Sequence, residues 1–159
     1  MRLSHGFVRG EALSCIYHGW SYSLSGGCIR IPAHPDLLPP ETIRVAVQQI
    51  EEAGGILWAA VGQPTTQPPQ LDELVPLRSL SVEGDVAAIE AAAGAKIDAR
   101  GLIRLPQSLW IGLLLAPQEK HTLILLMIDR DRSPADRVAA SRIVESIRRT
   151  AEERQRESA

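Results

Sequence analysis

Cys15 and His18 are separated by two residues, and Gly19 follows at once in the run Cys15-Ile16-Tyr17-His18-Gly19-Trp20. A two-residue gap in a tight loop lets a thiolate and an imidazole face one pocket, and a glycine lets the backbone turn close to a bound ion or cluster. Cys28 and His34 lie just downstream and extend the pattern to C-x2-H-x9-C-x5-H. Two Cys and two His satisfy tetrahedral zinc. Pro32 and Pro35 stiffen that spacing, however, and a small buried strand residue is the plainer role for Cys28. His121 sits in a polar turn beside Glu119 and Lys120, and the group Asp129, Arg130, Asp131 and Arg132 reads as solvated, turn-forming charge. Trp20 is expected to pack beside the Cys15–His18 loop, and Tyr17 to stand half-buried or to hydrogen-bond there.

These residues need elements to position them, and proline marks the joints between elements. Residues 63–76 are polar and carry Pro64, Pro68, Pro69 and Pro76, which reads as a linker. It divides the chain into residues 1–63, a linker over 64–76, and residues 77–159. Upstream, residues 11–16, 20–24, 28–31, 44–49 and 56–61 read as short strands, with turns at Ser25-Gly26-Gly27 and at residues 51–55. Downstream, residues 79–83 read as a strand and residues 86–93 as an alanine-rich helix ending at Gly94. Residues 109–116 and 122–129 read as an apolar antiparallel hairpin. Ser133 caps a long helix that starts at Pro134 with Asp136 in its first turn. Its apolar face is Ala140, Ile143, Val144, Ile147 and Ala151, and the charged residues past Ala151 read as a fraying end. The expected class is α+β: a small β domain, then a β-α-β-β-α domain.

Composition narrows the functions. Seventeen basic residues against nineteen acidic give a net charge of −2, which supplies no sustained positive field for nucleic acid. No apolar run approaches the ~20 residues that span a bilayer, and no signal segment is visible, so a cytoplasmic location and no membrane partner are expected. Two cysteines in such a chain suggest ligands or buried thiols before a disulfide.

The run from Leu13 through Cys15-Ile16-Tyr17-His18-Gly19-Trp20 to Gly26-Gly27-Cys28-Ile29-Arg30-Ile31-Pro32, with the later Gly54-Gly55-Ile56-Leu57-Trp58, resembles the Rieske 2Fe–2S domain of ring-hydroxylating and demethylating oxygenases. The resemblance covers about the first 64 residues. It implies a small β domain and a cluster held by two loops, each giving one Cys and one His, with Cys15 on the thiolate iron and His18 on the exposed iron. Tyr17 stands where respiratory Rieske proteins carry a cysteine, so the similarity is to the oxygenase branch.

In that family the first loop is Cys-x-His, roughly 15–17 residues before the second cysteine. Here that register falls a few residues before Met1, and His5 does not fit it. The resemblance therefore implies an N-terminally truncated domain holding half of the ligands, or a remnant without a cluster. Oxygenases of this type also hold a mononuclear iron with two His and one carboxylate. Residues 64–159 contain only His121, so that site is not expected here. The leading expectation is an electron-transfer component of an oxygenase-like system, served by a reductase or ferredoxin, rather than a complete oxygenase. A structural zinc-binding or partner-binding module stays open beside it, and the sequence sets no oligomeric state.

Overall fold

The computed structural model describes residues 3–60, 62–71 and 73–158. The chain divides into two units, Met1–Ile50 with Ala59–Pro64, and Glu51–Trp58 with Thr65–Ala159.

The first unit is a four-stranded antiparallel sheet of three-residue strands: β1 (Phe7–Arg9), β2 (Ala12–Ser14), β3 (Ser21–Ser23) and β4 (Cys28–Arg30), in that order across the sheet. Strands this short are set by what lies between them. Gly10 turns β1 into β2 at φ 58°, and Gly26 turns β3 into β4 at φ 84°. A Cβ on Gly26 would lie 2.4 Å from the Val45 carbonyl oxygen, so only glycine lets the chain after Ile43 press against this corner. The expected strand over residues 44–49 is consequently reduced to a single bridge between Gly27 and Arg44, with Val45 N–H donating to Gly26.

Residues 51–53, expected in a turn, instead belong to a strand. β5 (Gln49–Ala53) and β6 (Ile56–Ala60) form a hairpin whose loop is only Gly54-Gly55. Their φ values of 64° and 76° match a type I′ turn, the two-residue connection whose twist suits a hairpin, so the two glutamates fall on the strand. Glu52 still serves the turn by accepting from Gly55 N–H at 2.9 Å. Val61, expected at the end of the second strand, lies outside the described residues.

The second unit follows the expected β-α-β-β-α order with one strand more. It comprises β7 (Leu74–Val82), α1 (Val86–Ala93), β8 (Leu102–Leu105), β9 (Ser108–Pro117), β10 (Thr122–Asp129) and α2 (Pro134–Ser158), and its sheet runs β7-β10-β9-β8. β7 starts at Leu74, inside the proline-rich stretch read as linker. It tolerates Pro76 because it is an edge strand, where a missing N–H costs no ladder bond, and a register shift lies opposite in β10. β8 is too short to show a pattern. Asp98 launches it, its carboxylate accepting from the Arg100 and Leu102 N–H groups at 2.8 and 3.1 Å.

Both helix starts are capped. Asp85 accepts from Ala88 N–H at 2.8 Å, while Ser133 and Asp136 exchange a reciprocal pair of bonds at 3.1 Å. Ala140, Val144, Ile147 and Ala151 of α2 are buried against one sheet face, with Ile89 of α1 and Val82, Ile124, Leu126 and Leu113 of the strands. The opposite face buries Leu74, Leu102, Leu114 and Met127, packed with Ile56 and Trp58. Past Ala151 the helix does not fray. Glu152 accepts from Arg148 and from Glu83 N–H, and Gln155 accepts from Asp85 N–H, so α2 stays helical to Ser158.

Ile124 is fully buried, so Ile124→Ala is expected to cost about 2–5 kcal/mol in urea unfolding. Burial raises the Asp98 carboxyl, but the bonds from Arg100 and Leu102 outweigh that and hold it below its ordinary value. A depressed folded value adds stability that is complete above the usual carboxylate range and is lost as pH falls through the lowered one. Asp98→Asn should therefore reduce stability at neutral pH, with the gap to the parent closing as pH falls through and below the ordinary carboxylate range.

Candidate metal centre

Cys15 and His18 occupy the turn between β2 and β3. Cys15 N–H donates to the Trp20 carbonyl at 2.8 Å and Gly19 N–H to the Cys15 carbonyl at 3.0 Å, which ties the six-residue loop at its base. Below it, the Ser14 and Ser21 hydroxyls meet at 3.0 Å across the paired strands, both residues buried. Gly19 has φ 69°, and a Cβ there would stand 3.1 Å from Pro32 Cγ. Glycine is needed twice at this position, for the left-handed turn and for the close passage of Pro32.

The loop shows its side chains unequally. Cys15 is half-buried and lines a cleft of about 520 Å³ with Phe7, Arg9, Ile29, Arg30 and Pro32. His18 is exposed, its ring 3.9 Å from that of Tyr17 in an edge-on arrangement, and Tyr17 is itself 63% exposed. Trp20 is half-buried next to the loop. Cys28 is buried in β4, where its thiol donates to the Arg30 carbonyl at 3.7 Å. Burial raises the Tyr22 hydroxyl, and Cys28 and then Cys15 add to the rise, so the tyrosine feels both thiols.

Among the described residues no three His, Cys, Asp or Glu side chains converge on one point. The tetrahedral set of Cys15, His18, Cys28 and His34 is therefore not assembled. Pro32 and Pro35 frame His34 in an exposed segment, and Cys28 turns inward with its strand. His5 ends a short 3-10 turn and is exposed, as is His121. A cluster of the two-Cys, two-His kind needs both halves of its donor set. Cys15 and His18 supply one donor of each type on one glycine-shaped loop, which fits half of it. Sequence spacing marks those two donors, but not Ser14, Ser21, Arg9, Arg30 or Pro32. They reach the loop only through strand register, which a linear reading does not contain.

The Rieske [2Fe-2S] domain family matches residues 1–50, the stretch that contains this loop. The first 50 residues are a Rieske domain segment. Oxidoreductase NdmD of Pseudomonas putida is 44% identical over 69 residues, 43% of this chain and 12% of that protein. Methylxanthine N1-demethylase NdmA of the same species is 40% identical over 57 residues, 36% of this chain and 16% of that protein. The Rieske segment is thus homologous to ring-hydroxylating and demethylating Rieske oxygenases, while the chain spans less than a fifth of these curated relatives. The fold likeness reaches further. The structure of NdmB from Pseudomonas putida CBB5 aligns with 95% of this chain and 66% of its own, at a TM-score of 0.67 and 17% identity. The second unit shares that fold too. Among the described residues no helix is long and apolar enough to cross a membrane.

In metal-free protein Cys15 should react with Ellman's reagent in the native state, and Cys28 only after unfolding. Cys15→Ser should remove the fast reaction and leave the slow one.

Proposed function

We propose that this chain belongs to a one-electron carrier of an oxygenase-like system, with Cys15 and His18 giving one thiolate and one imidazole to a Rieske-type 2Fe–2S cluster. The observation that carries the reading is the closed Cys15–Trp20 loop, with both donor types on a turn that only glycine permits at residue 19. A complete cluster of this kind needs one further Cys and one further His, which the family takes from its first Cys-x-His loop. The cluster, when bound, takes up and releases a single electron, at a potential raised by neutral imidazole ligands.

This chain's residues have separate tasks in that scheme. Cys15, half-buried in its cleft, would give the thiolate. His18, exposed beside Tyr17, would give the imidazole on a side open to solvent and so to an electron donor. The Ser14–Ser21 bridge and Pro32 fix the loop from beneath. The electron donor is a reductase or ferredoxin, and the oxygenation chemistry resides elsewhere than on residues 64–159, whose single histidine is His121.

The test is anaerobic expression of a version extended upstream, with metal analysis and low-temperature EPR. Two irons per chain and a low average g value after reduction are expected. Cys15→Ser and His18→Ala should abolish both, while Cys28→Ser and His34→Ala should leave them intact. Colourless protein, or zinc lost on mutating Cys28 and His34, would overturn the proposal.

A further inference from the structure

The second unit carries a groove of about 730 Å³ between β7 and α2, lined by none of the residues that the cluster reading uses. Its walls are Leu77 and Arg78 on the strand and Arg137, Val138, Arg142 and Arg149 on the helix. Four arginines on one groove stand out in a chain whose net charge is −2. The carboxylate present, Glu145, is already held by Arg148, which lowers its proton affinity, and Arg149 lies 3.7 Å from it. Among the described residues Arg78, Arg137 and Arg142 have no carboxylate at ion-pair distance. Arg137 donates instead to the Arg132 carbonyl at 3.4 Å. The apolar floor is real as well, since Val138 is 51% exposed.

A second feature runs along the same groove. β7 pairs with β10 on one side, and among the described residues no strand pairs with its other edge. Pro76 withholds a donor near the start of the strand, which leaves residues 77–82 as the open edge. An edge of unpaired N–H and C=O groups is a template for strand addition. The dimensions agree. From Arg137 to Arg149 the helix advances about 18 Å, the length of five or six extended residues at about 3.3 Å each.

We propose that the groove binds an extended acidic segment of a partner protein. The segment adds to β7 as a strand, and its alternate carboxylates face Arg78, Arg137, Arg142 and Arg149. Alternation follows from strand geometry, since every second side chain points to the helix side. Guanidinium forks suit carboxylates, and the residues between point to the opposite face of the sheet, away from α2.

The probe is a fluorescein-labelled hexapeptide alternating Glu and Val, titrated into the full chain by fluorescence anisotropy at low salt. Saturable binding is expected, weakened about tenfold or more by R78E/R142E and by added salt. The variant's fold is checked by circular dichroism, and both altered side chains are exposed. A peptide N-methylated at alternate residues on its pairing edge should also lose binding, which a purely electrostatic contact would not show. The proposal is overturned by equal affinity for the parent and R78E/R142E, by full retention with the N-methylated peptide, or by displacement with inorganic phosphate at concentrations where chloride has no effect. That last result would assign the groove to a small anion.

Discussion

Burial of Ala140, Val144, Ile147 and Ala151 of α2 against Val82, Leu113, Ile124 and Leu126 is the contact on which the second unit depends. Each large side chain taken fully out of water contributes about 1.5–3 kcal/mol. The ion pairs on the outer side of the helix, Arg148 with Glu145 and Glu152, are part-exposed, and such pairs contribute about 0–1 kcal/mol. The apolar stripe therefore fixes where α2 lies, and the charges keep its far end helical and direct Glu152 and Gln155 to the Glu83 and Asp85 amides.

The first unit rests on other terms. The strands of its sheet are three residues long, and among the described residues the buried side chains there are Ser14, Ser21, Cys28 and Ile31. Phe7, Val8, Ile16, Tyr17 and Ile29 are all more than two-fifths exposed. With so little apolar surface removed from water, the geometry is carried by hydrogen bonds and by glycines at positive φ. A segment built this way opens locally at lower cost than a packed sheet.

Much of this was legible in the sequence where a local rule decides the outcome. The alanine-rich helix over residues 86–93, the Ser133 cap and the hairpin of residues 109–116 and 122–129 follow from periodicity, caps and apolar runs. The Cys15–His18 pair is equally visible, because both donors lie in one short loop. What escaped depends on partners far along the chain. Pro76 sits within a strand only because β7 is an edge, and that is a property of the whole sheet. The strand expected after residue 44 shrinks to a bridge because Gly26 admits the Val45 carbonyl. Residues 51–53 became strand because two glycines complete a turn by themselves. The Arg78, Arg142 and Arg149 array is invisible in sequence, as β7 and α2 are joined only by the fold.

The bonds that Glu152 and Gln155 accept from Glu83 and Asp85 span 69 and 70 residues of chain. β7, the first strand of its sheet to be translated, pairs with β10, the last. Loop closure of that length must precede the β7–β10 pairing, so β7 stays unpaired until β10 has been made. Meanwhile the apolar runs of β9 and β10 emerge without the helix that covers them. Exposed apolar strands of this kind are the surface through which a nascent chain aggregates.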